Sequence, residues 1–124
     1  MVYLIDANII IRFLVGDNAE HLTISRGFFE QIELDEIKAE ILDVVLMEVY
    51  FVMTKFYKIA KNELIEDLKK IVAMSGIVGD KVLLIEVLNV LEHRNIDFVD
   101  ALLCAKKELY GYGILSFDKE VKRC

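Results

Sequence analysis

Apolar positions along the chain follow two different periods, one typical of strands and one typical of helices. The apolar runs VYLI at 2–5 and GILSF at 113–117 predict the first and the last strand. Between them, 39–42 predicts a second short strand and 76–79 a weak strand or a turn. Because longer helical segments separate these runs, we expect an α/β fold with a mainly parallel sheet.

The longer segments repeat apolar residues about every three to four positions, which predicts helices. The segment 44–57 is apolar nearly all round, so we expect it to form one buried helix. In the helix predicted at 18–32, the residues expected to face the core are Leu22, Phe28, Phe29 and Ile32. The predicted helices span residues 8–15, 18–32, 44–57, 61–74, 81–93 and 98–110, and a short turn or helix is predicted at 118–123.

The length of 124 residues and the absence of proline, repeats and Ser/Gly linkers predict a single domain over residues 1–124. Apolar residues make up 56% of the chain, which indicates a globular protein. No uncharged apolar run approaches the roughly 18 residues of a membrane span. The N-terminal stretch lacks a basic leader, so we expect no secretory signal and a cytoplasmic location.

The net charge of −6 argues against a protein that holds nucleic acid on a broad basic face. The acidic residues are then either solvated surface or partly gathered into a cation site. Cys104 and Cys124 lack a metal-ligand spacing, and we interpret them as thiols of a reducing compartment. Cys104 is expected to be a small buried residue and Cys124 to lie at a frayed end.

Two carboxylates directly follow predicted strands. Asp6 ends the run VYLI, and Asp118 follows GILSF. Because the carboxyl ends of parallel strands meet at one edge of the sheet, we expect both side chains at the same rim. A buried, unpaired charge costs several kcal/mol to order of magnitude, so Asp6 is expected to have a partner.

Two further carboxylates lie in apolar helices. Glu48 is surrounded by apolar residues, and its alternatives are a snorkelling side chain or an ion pair with a lysine. Asp97 and Asp100 stand three residues apart at a helix start. We interpret Asp97 as the N-cap, whereas Asp100 either faces the helix dipole or points inward at the sheet rim.

Together these positions suggest a metal site. Crowded carboxylates repel one another unless a cation lies between them, and oxygen ligands favour Mg²⁺ or Mn²⁺. Such an ion suits phosphodiester hydrolysis. The candidate ligands are Asp6, Glu48, Asp100 and Asp118, while no nucleophile triad or Gly-rich phosphate loop is present. Arg12 would contact phosphate or form a surface ion pair, and Lys119 is one of several lysines that would contact phosphate or only solvate the surface.

The stretches YLIDANIIIRFL, LMEVYFVM and DFVDALLCAKKELYGYGILSFDKEVKR resemble the PIN-domain family, and within it the VapC-type ribonuclease toxins. The resemblance covers essentially the whole chain. It places the family's acidic positions on Asp6, Glu48, Asp100 and Asp118. Asn8 matches a polar position that supports the first acid, and Ser116 matches a small hydroxyl before the last.

The resemblance implies an α/β/α sandwich with a mainly parallel sheet and an Mg²⁺- or Mn²⁺-dependent endoribonuclease acting on single-stranded RNA. It also implies a small antitoxin as partner and a homodimer. Two alternatives remain within the family, namely an RNA-processing nuclease outside a toxin–antitoxin pair and an inactive binding module. An acyl-phosphate enzyme fits poorly, because Asn8 stands where one such class expects a second Asp.

Overall fold

The computed structural model contains a parallel sheet of three short strands, β1 (Val2–Leu4), β2 (Lys38–Glu40) and β3 (Ile77–Val78), in the order β1-β2-β3. It describes residues 1–124 except the side chain of Glu120. The backbone N–H of Ile5 donates to the carbonyl of Glu40 at 3.1 Å, which extends the β1–β2 ladder by one bond. The sheet therefore ends immediately before Asp6.

Helices flank this sheet, and local signals set their ends. Side chains of Asp6, Asn18, Asp80 and Asp97 accept backbone N–H groups at four helix starts, while left-handed Gly16 and Gly111 end two helices. The helices are α1 (Ala7–Val15), α2 (Ala19–Glu33), α3 (Asp43–Phe51), α4 (Lys61–Val72), α5 (Lys81–His93), α6 (Phe98–Tyr110) and α7 (Lys119–Lys122).

One hydrophobic core joins the sheet to the helices. Ala39 and Ile77 bring the strands into it, and Leu46, Leu68 and Leu88 are fully buried helix residues. In this packing α1 contacts α2 and α3, α5 lies between α4 and α6, and α7 returns onto α6. The α/β class with a parallel sheet is confirmed. None of the helices, as far as the structure describes them, is both long and apolar enough to cross a membrane.

The strand predicted at 113–117 is wrong. These residues form no strand or helix, and the side chains of Leu115 and Phe117 are completely exposed. The apolar run has a strand-like composition, but the chain lies away from the sheet, and composition alone supplies no pairing partner. The free edge of β1 is left without the neighbour that this run was expected to provide.

The prediction of one buried helix over 44–57 is also wrong in its form. The segment is α3 followed by a π turn (Val52–Phe56), in which the N–H of Tyr57 donates to the carbonyl of Val52 at 3.2 Å. Val44, Phe51 and Phe56 are exposed, because the sheet and the other helices cover only one side of this element. Phe28 of α2 is likewise 42% exposed and not in the core.

Two interpretations of the cysteines are wrong, namely that both are free thiols and that Cys124 lies at a frayed end. Cys104 and Cys124 form a disulfide, with their Cα atoms 5.3 Å apart. The return of α7 onto α6 brings them together, since Val121 is buried there and the Nζ of Lys107 donates to the carbonyl of Cys124 at 2.9 Å. Cys104 itself is buried, as predicted.

Candidate functional site

Asp6 lies where the chain leaves the sheet and begins α1. Its Oδ1 accepts a hydrogen bond from the N–H of Ala7 at 2.9 Å, and its backbone is extended, as expected of an N-cap. The side chain is exposed, so the expectation of a buried charge is wrong. The reason is geometric, since Asp6 is the first residue beyond the last ladder bond and water reaches it.

Glu48 of α3 lines the same groove as Asp6. This groove, which we call the carboxylate groove, has a volume of about 700 Å³ and is lined by Asp6, Asn8, Ile11, Arg12, Glu48, Phe51, Val52, Lys55, Phe56 and Tyr57. A volume of this size suits a small-molecule-sized ligand. Residues 42 positions apart in sequence thus contribute carboxylates to one surface, as the strand-end argument for Asp6 and the family resemblance for Glu48 both expected.

Glu48 is exposed, in contrast to the expectation from its apolar sequence neighbours. Val49 of the same helix is fully buried and Phe51 is exposed, so one side of the helix faces solvent although its sequence is mostly apolar. An exposed carboxylate needs no lysine partner to offset desolvation. The exposure of Glu48 therefore removes the argument for a structural ion pair with a lysine.

Asp100 is half-buried in the first turn of α6. Its pKa is raised, first by partial burial and then by the negative charges of Asp97 and Asp118, while Arg94 opposes the shift. A carboxylate in this position favours any change that brings positive charge near it. Asp97 is the N-cap of α6, as predicted.

The negative charge of Asp118 contributes to the raised pKa of Asp100, which indicates that the two carboxylates repel each other. The N–H of Asp118 donates to the hydroxyl oxygen of Ser116 at 2.9 Å, so Ser116 orients the backbone that leads to this acid. Asp118 and Lys119 are both exposed. Since 113–117 is not a strand, the sheet does not fix Asp118 at the rim.

The structure brings Asp6 and Glu48 into one groove, and the charge of Asp118 acts on Asp100. Their oxygen donors fit a hard divalent cation in chemistry. They do not reach a full ligand set at one point, since the described His, Cys, Asp and Glu side chains include no group of three or more that could hold a metal ion. The fit to Mg²⁺ or Mn²⁺ rests on the carboxylate oxygen donors and on the groove that Asp6 and Glu48 share.

Arg12 lines the carboxylate groove, and its Nη1 forms an ion pair with Oδ1 of Asp17 at 2.9 Å. Both side chains are about a third or more exposed, so this pair is weak and a phosphate can compete for the guanidinium. The surface ion pair named for Arg12 is thus present, and the phosphate contact stays a prediction. The hydroxyl of Tyr57 also approaches Asp17, at 3.5 Å.

The sequence predicts no groove role for Phe51, Phe56 or Tyr57, and it leaves Lys55 open between a contact to the RNA backbone and a solvated surface position. All four line the carboxylate groove. The π turn causes this, because it rotates the residues after α3 relative to a continuing α-helix. The apolar period gave no sign of that turn, although the excess of aromatic residues at 51–57 was visible.

A comparison with protein families matches the PIN domain model over residues 3–124, essentially the whole chain. No curated protein and no solved structure matches it. The matched range includes Asp6, Glu48, Asp100 and Asp118.

Proposed function

Because the chain belongs to the PIN domain family, whose members are generally nucleases, we propose that it is an Mg²⁺- or Mn²⁺-dependent endoribonuclease that cleaves single-stranded RNA. One observation carries the proposal. Asp6 and Glu48 come from separate elements and line one open groove together with Arg12 and Lys55. Two carboxylates beside two cations suit a phosphodiester substrate and a divalent ion.

We propose Asp6 and Glu48, which line one groove, as the first ligands of the ion. Asp100 and Asp118 complete the site in this proposal only if ion binding draws them towards that groove, since the described acids do not meet at one point. When bound, such an ion lowers the pKa of a water molecule and stabilises the charge of the phosphate. The chain's own residues position these groups. Asp6 is held by its cap on α1, and Glu48 by the buried packing of Leu46 and Val49 on either side of it.

Four other residues have supporting roles in this proposal. Asn8 lines the groove beside Asp6, and the Ser116 hydroxyl accepts from the N–H of Asp118. Arg12 exchanges its weak pair with Asp17 for a substrate phosphate. Lys119, which is exposed next to Asp118, contacts the RNA backbone near that acid.

We further propose that the protein is the cytoplasmic toxin of a toxin–antitoxin pair, forms a homodimer and is bound by a small antitoxin. Exposed apolar surface supports a protein partner, since contiguous patches of this kind mark interaction sites. The exposed apolar residues on and beside the free edge of the sheet include Val2, Tyr3, Leu4 and Phe28. Sedimentation velocity should show a dimer at micromolar concentration, and a monomer at all concentrations would contradict this part.

Cleavage of a labelled mixed-sequence single-stranded RNA tests the activity. We expect internal cuts with Mg²⁺ or Mn²⁺ and none with EDTA. For the toxin role, induced expression should arrest growth, and co-expression of a small neighbouring reading frame should relieve the arrest. Cleavage without growth arrest would favour an RNA-processing nuclease, and no cleavage of several RNAs would favour a binding module.

A further inference from the structure

Two exposed phenylalanines line the carboxylate groove. Phe51, the last residue of α3, is 61% exposed, and Phe56, the last residue of the π turn, is 75% exposed. Single exposed apolar residues are common on proteins. Two exposed aromatic rings in a groove that also contains carboxylates and cations are not explained by folding, because they contribute little to the core.

The π turn places these two rings on the same side. In a continuing α-helix, residues five positions apart point about 140° away from each other. Bonds of the i→i+5 type, such as Tyr57 N–H to Val52 carbonyl, bring the fifth residue back to the starting side. Phe51 and Phe56 accordingly line one groove. The rings of Phe56 and Tyr57 form a T-shaped contact, with centroids 5.0 Å apart and planes at 80°.

Positive charge accompanies the rings, although the chain as a whole is acidic. Lys55 lies between them in sequence and is exposed, and Lys58 follows with a left-handed backbone (φ 58°) that ends the turn. Among the residues that the structure describes, neither lysine has an ion-pair partner. Both ammonium groups are therefore available to an anionic ligand.

The surface continues beyond the first groove. Phe51 and Lys55 also line a second depression, which reaches Lys61, Asn95 and Asp97 near the start of α6. One track thus runs from Asp6 and Glu48, across Phe51 and Lys55, to the element that carries Asp100. Alternating aromatic and cationic groups along such a track match a strand that offers flat bases and phosphates in turn.

We infer that Phe51 and Phe56 form a stacking platform for two bases of a single-stranded nucleic acid, with Lys55 contacting the phosphate between them. The inference rests on the proposed function for the choice of RNA. A duplex does not fit, because its bases are already stacked and their faces are covered. The platform holds the strand so that the neighbouring backbone lies over Asp6 and Glu48.

Binding, measured apart from cleavage, tests the inference. The probe is a fluorescein-labelled single-stranded RNA of about 10 nucleotides in EDTA, followed by anisotropy. Phe51→Leu and Phe56→Leu keep apolar bulk and remove the flat ring, so each should weaken binding by about 5- to 50-fold. Tyr112→Leu is the matched control, because Tyr112 is 58% exposed and lines neither depression, and it should bind like the wild type.

An abasic scan separates stacking from a general change of surface. In the wild type, removing the base at either of two positions of the RNA should weaken binding relative to the intact RNA. In Phe56→Leu, the abasic and the intact RNA should bind equally at one of these two positions. For Lys55→Gln, the slope of log affinity against log salt should fall by about 0.7, as expected for one phosphate contact on a single strand. Lys70→Gln, an exposed lysine of α4, should leave the slope unchanged.

The outcomes distinguish this inference from the proposed activity. Weaker binding in both leucine variants supports the platform even when the wild type fails to cleave RNA, and in that case only the proposed activity is wrong. Wild-type affinity in both variants overturns the platform even when cleavage is intact. Absence of single-strand binding in the wild type overturns it as well. A dimer that dissociates on Phe51→Leu, with RNA binding unchanged, would assign the two rings to a protein interface instead.

Discussion

The side-chain Oδ1 of Asp97 accepts a hydrogen bond from the backbone N–H of Asp100 at 2.8 Å, which caps α6. Asp97→Ala should therefore lower the free energy of unfolding by about 1 kcal/mol, whereas Asp97→Asn should change it little. Urea denaturation measures both, and Asn18→Ala at the start of α2 should cost a similar amount. Equal losses for Asp97→Asn and Asp97→Ala would show that the charge of Asp97 matters and not its cap.

The raised pKa of Asp100 predicts a pH-dependent effect on stability. Burial and the neighbouring carboxylates disfavour its ionised form in the folded state, so the penalty is absent below the ordinary pKa of Asp and is complete above the raised one. Asp100→Asn should therefore unfold at a higher temperature than the wild type at pH 7, and this advantage should vanish near pH 3. A variant that is less stable at pH 7 would show that attraction to the start of α6 dominates.

Metal binding should stabilise the folded chain. Because the ion would bind the folded chain and not the unfolded one, Mn²⁺ at about 100 times its dissociation constant should raise the free energy of unfolding by about 2.7 kcal/mol. Asp6→Asn keeps the N-cap of α1 and removes a ligand charge, so it should fold normally and lose most of this stabilisation. Glu63→Gln, an exposed acid of α4, is the control. If Asp6→Asn responds to Mn²⁺ as the wild type does, the assigned site is wrong.

The disulfide between Cys104 and Cys124 should hold α7 on α6. The two residues are 20 positions apart, and a loop of this length corresponds to about 3 kcal/mol in the chain-entropy account. A phosphine reductant should lower the free energy of unfolding of the wild type by about that amount and leave Cys124→Ser unchanged. Free thiols in the unreduced, folded protein, detected by alkylation and mass measurement, would contradict the bond.

Local signals predicted much of the helical part of the fold. The predicted bounds of α5 and α6 agree with the structure, because Asp80 and Asp97 act as N-caps through their own side chains and the apolar periods between them are regular. The first strand and the start of α1 follow from the same kind of signal, an apolar run that ends on Asp6. These features depend on residues that are close together in the chain, so they can be predicted from a single sequence.

The errors concern contacts between distant residues. Whether the run 113–117 pairs with a strand depends on where the chain after α6 lies, and the burial of Phe28 or Phe51 depends on which elements cover its helix. The π turn that redirects Phe56 leaves no period in the sequence. For the site, the sequence predicts four carboxylates at one point, whereas the described acids include no group of three that could hold a metal ion. The position of Asp118 could not be predicted because no strand precedes it and fixes it at the sheet edge.

Single-turnover cleavage of one labelled single-stranded RNA, compared between matched amide variants, tests the central claim most directly. We predict that Asp6→Asn, Glu48→Gln and Asp100→Asn each lower the rate of cleavage in Mg²⁺ by at least about 100-fold, while their affinity for the RNA falls far less, because Arg12, Lys55 and the exposed rings still hold it. Glu63→Gln should cleave like the wild type. Wild-type cleavage rates in purified, folded Glu48→Gln and Asp6→Asn, or cleavage that persists in EDTA, would contradict the account.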